Sequence, residues 1–356
     1  SILINYFLAL KISDSRGKRG AVFFLTLAVG IDLGVLFFFK YLNFFMENIC
    51  RLVGAEALEI DLVLPLGISF YTFQIMSYII DIYRKKYNAC RNVIEVAAYI
   101  SMFPQLIAGP IVSFDEVRPQ LKSRRVRFAD IEWGMMLFVI GLVYKVMLAN
   151  RIASLWNDVM VAGVMGIDTA AAWLGAWGYT MQIYFDFFGY SLMAMGLGYM
   201  LGFRFPENFS NPYCAVSVTE FWRRWHITLG RWFREYVYIP LGGSKRGRAR
   251  MVLNIFIVWL LTGLWHGAAW NFIIWGMFFF VLIVSEKLFY LDFLKKHRIV
   301  GHIYMLLIIP VSWVIFNITD LGELKLYLHR MFGGAASLGG SIGGADKFMS
   351  LLGSYW

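Results

Sequence analysis

From Ala21 to Met46 the chain carries only two charged side chains, Asp32 and Lys40. A helix needs about 20 predominantly apolar residues to cross the ~30 Å hydrocarbon layer of a bilayer, and this run is longer. Leu62–Ile80, Trp133–Ala149, Met251–Tyr290 and Ile303–Phe316 read the same way. Lipid offers no hydrogen bonds to a backbone, so spanning segments are helices or closed barrels, and apolar runs of this length are helices. Composition agrees. The 356 residues are 59% hydrophobic and only 16% charged, against about 25% charged in an ordinary soluble domain. Such a chain lacks the polar residues to cover a soluble fold. The fold class is all-α, a multi-pass transmembrane helical protein.

The formal net charge is +10, from 33 Lys and Arg against 23 Asp and Glu. A basic balance can signal nucleic acid, but here the basic residues sit in short loops between apolar runs. Residues 11–19, 84–91, 122–127, 245–250 and 295–298 are such loops. This is the positive-inside pattern, with the loops expected in the cytosol, where they could also meet a polyanionic ligand. Cys50, Cys90 and Cys214 are scattered and form neither a disulfide framework nor a metal motif. Cys90 is expected in a basic loop facing the reducing cytosol.

Residues 1–356 read as one transmembrane domain containing an amphipathic Trp/Arg-rich segment at 206–250. The opening "SILINYFLAL" reads as the end of an apolar segment, and the glycine-rich "GGAASLGGSIGGA" as a linker. A fragment is expected, with at least one N-terminal helix and part of the C-terminal region beyond it. Val93–Val112 is interrupted by Pro104, Gly109 and Pro110, as suits a re-entrant segment lining a cavity. Ala170–Phe203 is long enough for two short crossings, and Gly189, Gly196, Gly198 and Gly202 would let neighbouring helices approach closely.

Two stretches carry chemistry. In "LLTGLWHGAAWNF", 260–272, His266 sits in an otherwise apolar run, and intramembrane ionisable residues are functional candidates by default. Gly263 and Gly267 are expected to leave room for a ligand, with Trp265 and Trp270 as walls. The bland reading is a buried histidine bonded to a carbonyl. In "SVTEFWRRWHITLGRWFREYVYIPLGGSKRGRAR", 217–250, Thr219 is expected to cap a helix starting at Glu220. Phe221, Trp222, Trp225, Leu229 and Trp232 would form one aromatic face of it, with arginines around. That pattern suits a helix lying in the headgroup layer, with His226 an ordinary interfacial residue. It also suits a helix lining a cytosolic mouth, whose arginines receive phosphates. Asp186, in "YFDFFGYS", is expected to pair with a buried Arg or to hold a histidine.

"FPENFSNPYCAVSVTEFWRRWHITLGRWFREYVYIPLGG", followed 40 residues after His226 by His266 in "GLWHGAAWNFIIWG", resembles the membrane-bound O-acyltransferases. The nearest branch is the bacterial alginate O-acetyltransferase type. "LPLGISFYTFQIMSYIIDIYR", "FPQLIAGPI" and "YFDFFGYSLMAMGLGYMLGF" extend the resemblance over about residues 60–290. Two positions depart from the pattern: Leu192 stands where an acidic residue is usual, and Glu235 where Asp is common.

The resemblance implies re-entrant segments and a central tunnel, residence in a bacterial cytoplasmic membrane, and transfer of an acetyl group for O-acetylation of an exported polysaccharide. The donor would be cytosolic acetyl-CoA, a substrate rather than a tightly bound cofactor, with no metal. His266 matches the essential histidine and His226 a second polar site, expected close to it. Arg223, Arg224, Lys245 and Arg246 would meet the donor's phosphates, and Trp225, Trp265 and Asp186 would line the site. An extracytoplasmic SGNH-hydrolase-like protein is the implied partner. No nucleic acid is expected. D-alanyl transfer to teichoic acid from a carrier-protein thioester, and a transporter or channel, remain alternatives.

Overall fold

The computed structural model describes residues 1–56, 60–106, 109–161 and 163–333. The glycine-rich tail beyond Gly333, and Ile107 and Ala108 of "FPQLIAGPI", lie outside them. Among the described residues the chain is all-helical, with one isolated antiparallel backbone pairing between Phe209 and Trp225. Five helical stretches are long and apolar enough to cross a membrane: Arg19–Lys40, Phe128–Val161, Arg248–His266, Trp270–Lys296 and Arg298–Asn317.

The chain divides into two compact units. The first comprises Ser1–Val139, Ser191–Asn208 and His226–Asn254; the second comprises Ile140–Tyr190, Phe209–Trp225 and the residues from Ile255 onward.

In the first unit, α1 (Ile2–Asp14), α2 (Arg19–Lys40) and α4 (Ile68–Tyr83) pack on one another, and α3 (Leu42–Val53) follows α2. The polar intrusions of the long apolar run serve as ties between these helices. Asp32 on α2 is buried and accepts a 2.6 Å hydrogen bond from Asn5 on α1. Lys40, at the end of α2, donates to the Ser69 hydroxyl on α4 at 3.1 Å. The expected span from Leu62 starts later as a helix, at Ile68. Gly67 precedes it with φ +74, and a side chain there would strike the Leu106 carbonyl. Val93–Val112 is broken into α5 (Val93–Ser101) and the short α6 (Phe103–Leu106). A core of Ile75, Tyr78, Tyr99, Val112 and Phe114 joins α4 and α5 to α7 (Phe114–Ser123). Cys90 lies in the loop after α4 but is buried at this core's rim, its backbone N–H donating to the Tyr78 hydroxyl.

The stretch 170–203 forms one helix rather than two. After α8 (Phe128–Val143) and α9 (Asn150–Val161), α10 runs unbroken from Thr169 to Met200, 32 residues. No proline interrupts it, and its glycines are used for close approach. In the first unit, a Cβ on Gly196 would lie 2.5 Å from the Gly134 carbonyl of α8. In the second, one on Gly189 would lie 2.7 Å from the Gly141 carbonyl.

In the second unit, α14 (Trp270–Ser285) packs on α16 (Arg298–Asn317) and on α11 (Val218–Arg224), while α17 (Leu321–Met331) packs on α16. The core is aromatic: Trp222, Trp259, Trp275, Phe279 and Trp313 interleave, mostly edge to face. Such pairs add about 0.5–1.5 kcal/mol each beyond area burial. Gly276 of α14 sits against the Trp259 carbonyl of α13 (Arg248–His266), where a Cβ would lie 2.4 Å away. Gly276→Ala is therefore expected to force these backbones apart and cost about 1–3 kcal/mol, the usual penalty of overpacking. A thermal melt in detergent should show the lowered Tm; an unchanged melt would mean the contact is slack.

Candidate active site

His266 is the last residue of α13. Three rings stand nearly perpendicular to its imidazole: Trp265 at 4.9 Å, Trp275 at 4.9 Å and Phe316 at 5.2 Å between centroids. Two of these rings are fixed from behind. Trp275 is fully buried and packs on Trp222, Phe279 and Trp313. Phe316 lies at the end of α16, where the Asn271 side-chain amide of α14 donates to the carbonyls of Ile315 and Phe316 at 3.2 and 2.8 Å. The imidazole plane is thus set by packing on three sides, in a half-exposed position.

One expectation about this socket needs correction. Gly263 and Gly267 do not leave room for a ligand. A Cβ on Gly263 would lie 2.5 Å from the Phe272 carbonyl, and one on Gly267 would lie 2.1 Å from the Phe272 ring. These glycines let α13 and the turn after it close against Phe272. Trp275 is a wall that the sequence did not single out, and Trp270 is 46% exposed.

The segment containing His226 is also built differently from one long amphipathic helix. Ser217, not Thr219, caps α11, accepting from the Glu220 N–H at 3.1 Å. Glu286, fully buried, adds a second anchor. Its carboxylate accepts from the backbone N–H groups of Val218 and Thr219 at 2.6 and 2.8 Å and from the Thr219 hydroxyl at 2.6 Å. A carboxylate at a helix N-terminus satisfies orphan donors and complements the dipole. After only seven residues α11 stops. Trp225 is extended and His226 adopts a left-handed backbone, φ +45 and ψ +53, before α12 (Ile227–Phe233) begins. Non-glycine residues rarely adopt this conformation, although His is among the enriched exceptions. Phe221, Trp225, Leu229 and Trp232 are all buried, so the headgroup-layer reading does not describe this segment.

His226 belongs to the first unit and is 2% exposed. Its Nδ1 lies 3.1 Å from Asn208 Oδ1, and the Phe70 ring stacks on it at 6.5 Å. The same Asn208 oxygen accepts from the Thr228 hydroxyl at 2.9 Å, and that hydroxyl accepts from the Ile111 N–H at 2.9 Å. Burial pushes the imidazole down to about 3, because taking it from water disfavours the charged form. Thr228 also lines a cavity of about 90 Å³ in this unit. Charge-paired groups ring that cavity: Arg231 forks onto Glu116 at 2.7 and 3.1 Å, and Lys86 bridges Asp81 and Asp115. Glu235, at one of the two departing positions, lines it as well.

The other sequence-selected residues divide. Asp186 on α10 pairs with Lys145 at 2.6 Å, a cation supplied by lysine rather than by arginine or a histidine. Lys145 lies in the π-helical turn Tyr144–Ala149 between α8 and α9. Arg224 ties back to Glu220 at 2.5 Å, whereas Arg223, Lys245 and Arg246 are exposed. His226, Lys245 and Arg246 fall in the first unit. His266, Arg223, Arg224, Trp225, Trp265 and Asp186 fall in the second. Sequence reasoning missed Asn208, Thr228, Glu286, Asn271 and Trp275. Their partners lie 18 to 117 residues away for Asn208 and Thr228, and 44 to 68 for Asn271 and Glu286. Only the apolar setting of Glu286 and Asn271 was a local signal.

The model of the membrane-bound O-acyltransferase family matches residues 90–319, which include both histidines. The chain is 40% identical over 343 residues to "Probable alginate O-acetylase AlgI" of Pseudomonas putida, covering 95% of this chain and 70% of that protein. It is 34% identical over 364 residues to "Peptidoglycan O-acetyltransferase" of Helicobacter pylori, covering 94% and 69%. It is 31% identical over 245 residues to "Teichoic acid D-alanyltransferase" of Bacillus subtilis, covering 64% and 60%. The chain spans about two thirds of the length of the curated relatives it matches, 65% and 64% for two further alginate relatives.

The Lys145–Asp186 pair gives a test of the site's scaffold. Removing one partner strands the other charge among apolar helices, whereas replacing both with apolar residues of similar volume is often neutral. Asp186→Leu alone is expected to lower both detergent Tm and activity. Lys145→Met with Asp186→Leu should regain most of the Tm. If the double variant also regains activity, the pair is structural; if it melts normally but stays inactive, the ions serve the reaction.

Proposed function

The chain belongs to the membrane-bound O-acyltransferase family, and we propose that it moves an acetyl group from cytosolic acetyl-CoA across the membrane for O-acetylation of an exported polysaccharide. The observation that carries this reading is the imidazole of His266, held by three aromatic rings at the end of a membrane-spanning helix. In this reading the His266 imidazole takes the proton of an acceptor hydroxyl as its oxygen attacks the thioester carbonyl. The C–S bond then breaks, and the proton passes to the departing thiolate. General-base help of this kind contributes about 10²–10⁴-fold. His226 serves the same reaction as the second imidazole. Arg223, Lys245 and Arg246, exposed and basic, offer contacts to the phosphates of the donor. Lys145 leaves Asp186 a structural part in this scheme.

Acetyl is favoured over D-alanyl because the relatives named for O-acetyl transfer align with 93–95% of the chain, against 64–83% for those named for D-alanyl transfer. Membership of an acyltransferase family sets the transporter reading aside. A bulky polymer cannot follow a helix into the bilayer, so the acetyl group would pass to an intermediary, for which an extracytoplasmic SGNH-hydrolase-like protein is suited.

His266→Ala is expected to insert and melt like the parent while losing about 100-fold or more of acetyl transfer, measured with labelled acetyl-CoA in liposomes. Retention of a tenth of the parental rate would overturn the role of His266. Reconstitution also tests the intermediary. The protein with acetyl-CoA and polymer alone should label the polymer weakly, and addition of the SGNH-like protein should raise the labelling. Full labelling without it would make the intermediary unnecessary.

A further inference from the structure

We propose that Asn208 fixes His226 as the Nδ1–H tautomer, and is thereby a positioning residue for that imidazole. Thr228 N–H lies 3.3 Å from one atom of the Asn208 amide. A backbone N–H can only donate, so that atom is the carbonyl oxygen. The opposite assignment would set donor against donor. The amide nitrogen then faces the Ser191 hydroxyl at 3.3 Å. The Thr228 hydroxyl already accepts from the Ile111 N–H, so its own proton goes to the same Asn208 oxygen, at 2.9 Å. That oxygen has no proton to give. His226 Nδ1, 3.1 Å from it, has to be the donor.

A neutral imidazole protonated on Nδ1 carries its lone pair on Nε2. The left-handed backbone at His226 and the burial of both side chains, 2% and 1% exposed, hold the ring against Asn208. Asn208 is itself anchored by the residue after His226: its backbone carbonyl accepts from the Ile227 N–H at 3.0 Å. The consequence for turnover rests on the proposed function: if His226 handles a proton in the reaction, Nε2 is the nitrogen that accepts it. The tautomer itself does not depend on that reading.

The test is ¹⁵N solid-state NMR of the histidine-labelled protein in lipid, with the His226 signals identified by their loss in His226→Asn. The parent is expected to show a protonated Nδ1 and an unprotonated Nε2 at neutral pH. A parent spectrum with Nε2–H overturns the proposal without touching the acyltransferase reading. Asn208→Leu removes the acceptor. Nε2–H, the form favoured by an imidazole in water, should then appear, with kcat lowered on the order of 10–100-fold and KM for acetyl-CoA little changed. Asn208→Asp keeps an oxygen at the position and should restore the Nδ1–H signal. An Asn208→Leu protein that keeps both the Nδ1–H signal and the parental kcat refutes the assignment. If that variant does not fold, the parent spectrum still decides. A parent with Nδ1–H whose His226→Asn variant turns over normally upholds the tautomer and removes His226 from the reaction.

Discussion

A polar group placed among apolar helices has no water to fall back on, and much of this structure is organised by where such groups find partners. An unsatisfied group in hydrocarbon costs several kcal/mol, comparable with the whole margin by which a domain is stable. Each polar intrusion therefore becomes a fixed point. Asp32 meets Asn5, Lys40 meets Ser69 and Lys145 meets Asp186. Glu286 meets the open end of α11 and satisfies backbone donors there. These ties specify register, which apolar packing alone leaves loose because Leu, Ile and Phe faces are interchangeable.

The two histidines sit in different surroundings. His266 is flanked by aromatic rings: Trp222 backs Trp275, Trp275 abuts the imidazole, and Asn271 pins the carbonyl of Phe316 on the other side. His226 lies in a hydrogen-bonded network with Asn208 and Thr228. Ring packing sets the plane of an imidazole, whereas a hydrogen bond selects one of its nitrogens. A ring held through Nδ1 presents Nε2 as the nitrogen that can take up a proton.

Much of the frame was legible in the residues. Long apolar runs, the break at Pro104, the polar exception at Asp186 and the two histidines all announce themselves through local composition. The details that matter to the site do not. Nothing local separates Ser217 from Thr219 as the cap, because the deciding partner, Glu286, is 68 residues from Val218. The aromatic face from Phe221 to Trp232 is periodic, yet the helix stops at Trp225, since periodicity reports which side is apolar and not whether the backbone continues. Gly263 and Gly267 mark absent side chains, and sequence cannot tell whether ligand or Phe272 fills the vacated space. Trp275 becomes a visible wall only once the turn between α13 and α14 is known.

The left-handed backbone at His226 reaches beyond this one chain. Glycine, asparagine and aspartate tolerate that conformation most readily, and the codons for asparagine and aspartate are a single nucleotide from those for histidine. Glutamine is equally near in the genetic code and closer to imidazole in reach, but has no such affinity for a positive φ. Drift at this position is therefore channelled by the main chain before chemistry is consulted. Asparagine or aspartate at this position would keep the backbone and could still hold a hydroxyl in place, but would lack the Nε2 of the imidazole.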